Sequence, residues 1–172
     1  MEKFFKELME NGLDVLKRFN DFKGRTSRKE FWKFIIAAFI GGIAFAILSV
    51  IPFLGKFLSS LYQLAIALLS LSVGIRRLHD VNKSGKLMIP YLIGIVPLII
   101  LSFVMDNFAR RVTVNPYDYL AGYTTGLSMI YVYGTLSTIF GIVALVGVII
   151  LALFWFREGD PGENKYGPKP AE

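Results

Sequence analysis

Four long stretches without a charged residue constrain this chain more than any other feature. Phe34 to Ile51 runs for 18 residues, Phe57 to Ile75 for 19, Leu87 to Met105 for 19, and Tyr119 to Phe156 for 38. A bilayer core about 30 Å thick is crossed by about 20 helical residues, because each adds about 1.5 Å. Composition supports the same solvent: 54% of the residues are hydrophobic and 19% charged, whereas soluble domains carry about 25% charged residues. The fold class predicted is all-α, a polytopic membrane protein with four transmembrane helices and an amphipathic interfacial helix at its N-terminus.

The ends of these stretches set the expected spans. Pro52 stops the first and opens a turn through Phe53, Leu54, Gly55 and Lys56. Arg76 and Arg77 close the second. Pro90, Gly94 and Pro97 interrupt the third, which predicts a kinked or locally unwound helix. The fourth is almost twice a bilayer span, and its first part, Tyr119 to Thr135, is rich in Tyr, Thr and Gly; interfacial helix and re-entrant segment both fit it. The predicted organisation is an amphipathic segment 1–22, a transmembrane domain 23–168 with spans near 33–51, 57–75, 87–105 and 133–156, and a tail 169–172. More than thirty residues precede the first stretch and no small-residue cleavage site follows it, so it reads as a retained helix. Asp106 to Asp118 reads as an outer loop, and Gly122 with Gly126 forms a short GxxxG pair suited to close helix contact.

Cation distribution predicts orientation. Sixteen Lys and Arg residues fall in 1–33, 76–86 and 157–169, against three (Lys56, Arg110 and Arg111) in the opposite connections. Cationic flanks stay cytoplasmic, so both termini are expected inside. The net charge of +6 is thereby explained by topology and anionic headgroups, without a nucleic-acid partner.

Three cytoplasmic segments carry the remaining information. Residues 1–22 place Phe5, Leu8, Met9, Leu13, Leu16 and Phe19 at helical spacing among charges; lying on the interface and docking on a protein, or on the chain's own helices, both fit that stripe. Gly24 ends this helix, and Ser27 with Glu30 forms a capping box for the next, with Trp32 as an aromatic anchor. In the second segment, a continued helix puts Asp80 one turn after Arg76 and within reach of Arg77, while adjacent His79 and Asp80 point apart. In the third, glycines and prolines forbid regular structure from Arg157 to Pro168, and Asn164 and Tyr166 are the residues expected to dock it on the other two.

Together these segments, Phe22-x-Gly24-Arg25-x-Ser27-Arg28-x-Glu30-Phe31-Trp32, Arg76-Arg77-Leu78-His79-Asp80 with Ser84-Gly85, and Gly162-x-Asn164-x-Tyr166-Gly167-Pro168, resemble the domain-of-unknown-function 805 family of small bacterial inner-membrane proteins. The resemblance implies a four-helix membrane fold with the motif residues gathered on the cytoplasmic face. It implies no reaction.

Zero cysteines and a single histidine exclude disulfide frameworks, thiolate metal sites, thiol nucleophiles and multi-histidine metal sites within one chain. No catalytic residue, metal or cofactor is therefore assigned. The candidate binding cluster is Arg25, Arg28, Arg76, Arg77, His79, Asp80, Asn164 and Tyr166, directed at membrane lipid headgroups, a protein partner or a second copy. A small-solute transporter or channel is the alternative, weakened because no ionisable residue lies in the centre of any span. A lipid-modifying enzyme using His79 and Asp80 fits the sequence least well.

Overall fold

The computed structural model describes residues 2–51, 53–112 and 119–170, except for the side chains at positions 56 and 109–125. Five α-helices occupy these residues: α1 (Glu2–Lys17), α2 (Arg28–Leu48), α3 (Leu54–Asp80), α4 (Ile89–Val112) and α5 (Tyr119–Trp155), with a 3-10 turn at Gly85–Met88 before α4. Among the described residues, four helical segments are long and apolar enough to cross a bilayer: Arg28–Leu48, Phe57–Asp80, Gly85–Phe108 and Gly126–Trp155. The chain divides into two compact units, one formed by residues 1–86 with 153–172 and the other by 87–152.

In the first unit, α1 is shorter than the amphipathic segment expected over 1–22. It stops at Lys17 because Asp21 turns the chain, its carboxylate accepting from the backbone N–H groups of Lys23 (3.0 Å) and Gly24 (3.2 Å). The helix then lies against α2 and α3. Val15 joins Phe31, Phe34, Leu69 and Val73 in a buried core, and Leu8 is buried as well. Two polar ties run alongside: Lys33 pairs with Glu7 at 2.8 Å, and the Asn11 side chain donates to the Glu30 carbonyl at 2.9 Å. Phe5, Met9, Leu13 and Leu16 remain exposed.

The Ser27–Glu30 capping box starts α2 in both directions: the Ser27 side chain accepts from the Glu30 N–H and the Glu30 carboxylate accepts from the Ser27 N–H. At the same level, Trp32 packs on Phe156 (4.7 Å between ring centres) and Phe31 on Trp155 (5.0 Å). Helix α3 runs through Asp80 and closes with a Schellman motif. Asn82 adopts φ 58°, its N–H donates to the His79 carbonyl, and that of Lys83 to the Leu78 carbonyl at 2.9 Å.

The second unit narrows two readings. No unwound segment interrupts α4, which is helical through Gly94 and Pro97. Pro90 falls in the first turn, where its missing N–H costs no helical bond. Gly94 is a packing position: a side chain there would overlap the backbone of Ala144, and one at Gly147 would overlap the backbone of Tyr91. The third-span glycine thus serves close α4–α5 contact, as small residues do between membrane helices. Furthermore, Tyr119 to Thr135, for which an interfacial helix and a re-entrant segment both stood open, is helical: it forms the first half of α5, 37 residues in one helix. Helix α4 also continues past Asp106 to Val112, into the stretch read as outer loop. The rest of that loop lies outside the described residues; Gly122 of the GxxxG pair falls within α5, and a side chain at Gly126 would meet nothing within 4 Å.

Candidate functional site

The three motif segments meet at one place in the first unit. Arg25 precedes α2 and its guanidinium uses every nitrogen. Nε donates to Asp80 Oδ1 (3.1 Å), Nη1 to the carbonyls of Gly162 (2.7 Å) and Gly167 (3.0 Å), and Nη2 to the carbonyl of Asp160 (2.8 Å). From the last turn of α3, Arg77 pairs with the other oxygen of Asp80 and also donates to the backbone carbonyls of Trp155 and Arg157. One carboxylate therefore joins two guanidinium forks, and the forks hold the carbonyls of the segment after α5. Planar multidentate donors suit this role where a lysine ammonium would not.

The knot is dry. Side-chain exposure is 1% for Arg25, 0% for Arg77 and 4% for Asp80. Buried charges persist when each is paired and hydrogen-bonded, and five backbone carbonyls add to the single carboxylate here.

The segment after α5 docks by its own backbone and side chains. Asp160 N–H donates to the Asp80 carbonyl at 2.8 Å. Gly159 passes so close that a methyl group in place of its hydrogen would overlap the Asp80 carboxylate. Asn164 and Gly167 exchange backbone hydrogen bonds across a tight turn, with Gly167 at φ 115°, the left-handed region that favours glycine. The Asn164 amide donates to the His79 carbonyl at 3.0 Å, and the Tyr166 ring stacks on His79 with ring centres 3.7 Å apart. The other side of His79 presents Nδ1 to the Gly24 carbonyl at 3.2 Å, which requires the proton on Nδ1.

Six of the eight candidate residues, Arg25, Arg77, His79, Asp80, Asn164 and Tyr166, are thus brought together. Arg76 and Arg28 are not. Arg76, one turn before Asp80, pairs instead with Asp21 at 3.9 Å, and its Nε and Nη1 make no hydrogen bond. The i,i+4 pairing expected with Asp80 yields to the i,i+3 pairing of Arg77, because Arg25 and Arg77 together occupy both carboxylate oxygens. Arg28 lies on the surface, paired with Glu158 at 3.3 Å. Asp80 offers no free oxygen to His79, so the two do not form a catalytic pair.

Sequence reasoning passed over Asp21, Gly159 and Asp160. Asp21 is held below the usual carboxylate range: burial pushes its pKa up, and the N–H groups of Lys23 and Gly24 with the Arg18 guanidinium more than offset that. Glycine density after Arg157 was the available signal for Gly159, since glycine permits close backbone approach. Among the described residues, no group of three or more acidic or histidine side chains is placed to hold a metal ion.

The family described as "Protein of unknown function (DUF805)" matches residues 19–168, which contain all three motif segments. Inner membrane protein YhaH of Escherichia coli (strain K12) is 32% identical over 165 residues, covering 92% of this chain and 93% of YhaH. Inner membrane protein YhaI of the same strain is 45% identical over 74 residues, covering 42% of this chain and 63% of YhaI, so the match spans less than two thirds of that relative. No solved structure matches the chain. With four bilayer-length helices and a family match across most of its length, this chain is a membrane protein of the DUF805 family.

Proposed function

We propose that this is a non-enzymatic membrane protein, with both termini cytoplasmic, that engages anionic phospholipid headgroups at its cytoplasmic face. One observation carries the reading: the face holds two classes of cation. Arg25, Arg76 and Arg77 are buried among protein partners, whereas Lys23, Lys83, Lys86 and Lys165 keep exposed side chains around them. The buried class ties the segments together, and the exposed class is what a headgroup would meet, at about 1 kcal/mol of attraction per basic residue near an anionic surface.

Orientation is supported twice. Sixteen of nineteen cations flank the same set of helix ends. Arg25 before α2, Asp80 at the end of α3 and Gly162 after α5 share one hydrogen-bonded knot, which supports placing these three segments on one side of the bilayer. The exposed Phe5, Met9, Leu13 and Leu16 of α1 suit a helix lying at that interface with its apolar side toward lipid.

The test is native mass spectrometry of the full chain released from phosphatidylethanolamine vesicles with and without phosphatidylglycerol. Preferential retention of phosphatidylglycerol is expected, and joint replacement of Lys23, Lys83, Lys86 and Lys165 by Glu should abolish it with folding intact. Equal retention of both lipids by the unaltered protein refutes the proposal.

A further inference from the structure

We infer that the groove between α1, α2 and α3 holds one acyl chain of a membrane phospholipid. This inference rests on the reading of the protein as lipid-binding but not on any headgroup preference. The groove has a volume of about 510 Å³ and is lined by Leu8, Gly12 and Leu16 of α1, Phe34 and Gly41 of α2, and Ala65 of α3, among others. Tyr62 brings the lining's one side-chain hydroxyl, which donates to the Ala38 carbonyl. An occupant therefore gains apolar burial and finds no side-chain partner for polar groups of its own. An extended peptide would carry unpaired N–H and C=O groups into that space, each stripped of its hydrogen bonds to water, whereas a hydrocarbon chain carries none.

Location identifies the source of the chain. Both walls, Phe34 to Gly41 and Tyr62 to Leu69, lie inside the bilayer-length segments Arg28–Leu48 and Phe57–Asp80, so hydrocarbon is the phase already at their surface. Each wall spans eight residues, about 10 Å of helix, well within the roughly 30 Å of a bilayer core. A chain from the adjoining leaflet can thus enter sideways without leaving the membrane.

Two local features keep the space open. The Tyr62 ring stacks on Phe45 with centres 4.4 Å apart, and its hydroxyl is tied to Ala38, which fixes the deep wall. Any side chain at Gly41 would run into that hydroxyl. At the other wall, a side chain on Gly12 would meet no atom within 4 Å, so α1 presents bare backbone to the groove. That is a cradle a larger residue could fill without displacing protein.

The experiment places a photoreactive benzophenone amino acid at Leu13, which lines the groove, or at Phe39, which is exposed on α2 but does not line it. The full chain is irradiated in phosphatidylethanolamine vesicles with and without phosphatidylglycerol, and the intact mass is read. A phospholipid adduct several-fold more abundant at Leu13 than at Phe39 is expected. Gly12→Trp should reduce the Leu13 adduct to the Phe39 level and leave the Phe39 adduct unchanged; Ala65→Phe, filling the groove from α3, serves as a second variant should Gly12→Trp misfold. Equal adducts at the two positions, or a Leu13 adduct with the mass of a second copy or of another protein, overturns the inference. A groove-specific adduct formed equally from both vesicle types supports the groove, and the headgroup preference is then decided by lipid retention in native mass spectrometry alone. Equal adducts at the two positions alongside retained phosphatidylglycerol preference overturn the groove and leave the headgroup preference standing.

Discussion

Arg25 and Asp80, 55 residues apart in the chain, meet in a 3.0 Å ion pair whose side chains are 1% and 4% exposed. Nothing local brings them together; the pair exists because the start of α2 and the end of α3 are neighbours. Asp80 also neutralises Arg77, so the anion has two buried dependants.

Asp80→Asn should therefore be among the most damaging single changes in the first unit. Removing one partner of a buried ion pair costs about 3–5 kcal/mol, because the remaining charge is stranded. Thermal unfolding of the purified protein in detergent measures it. Arg28→Ala breaks the exposed Arg28–Glu158 pair and should change stability by no more than about 1 kcal/mol.

Gly159→Ala tests the docking of the last segment. The added methyl collides with the Asp80 carboxylate, and overpacking of this kind costs about 1–3 kcal/mol. The segment should lift, losing the Asp160 N–H to Asp80 carbonyl bond, and protease cleavage between Arg157 and Pro168 should accelerate. Unchanged cleavage kinetics would show that the close approach is not required.

In the second unit, Gly94→Val and Gly147→Val should each push α4 and α5 apart, since the new side chains overlap backbone atoms of Ala144 and Tyr91. A loss of about 1–3 kcal/mol is expected from either. Gly126→Val, at a position with open space, is the matched control, read by resistance to unfolding in dodecyl sulfate.

Acidification should loosen α1. The hydrogen bond and charge of Lys33 lower the pKa of Glu7, and Asp21 is also lowered. A carboxylate whose folded pKa is depressed contributes stability that is fully present above its unfolded pKa and is lost as pH falls through the folded value. Hydrogen exchange in α1 should thus be steady above the ordinary carboxylate range near about pH 4 and rise below it. Glu7→Gln should remove the Glu7 share, and an identical pH profile in that variant would contradict the assignment.

The four apolar spans and the helix start at Ser27 were legible in the residues, because hydropathy and capping act over short distances in sequence. The helix end near Lys17 was not: it depends on the turn at Asp21, whose carboxylate accepts from two backbone N–H groups. Gly94 has the look of a helix breaker and is a contact surface, a distinction set by Ala144, 50 residues further along the chain. The sequence by itself determined that this chain lives in a bilayer, since no arrangement could hide so much apolar length from water. Only the tertiary structure decided which arginine takes Asp80, and that Arg25 and Arg77 turn inward while the lysines stay out. Those choices follow from burial and from competition for two carboxylate oxygens, and neither exists until the helices have packed.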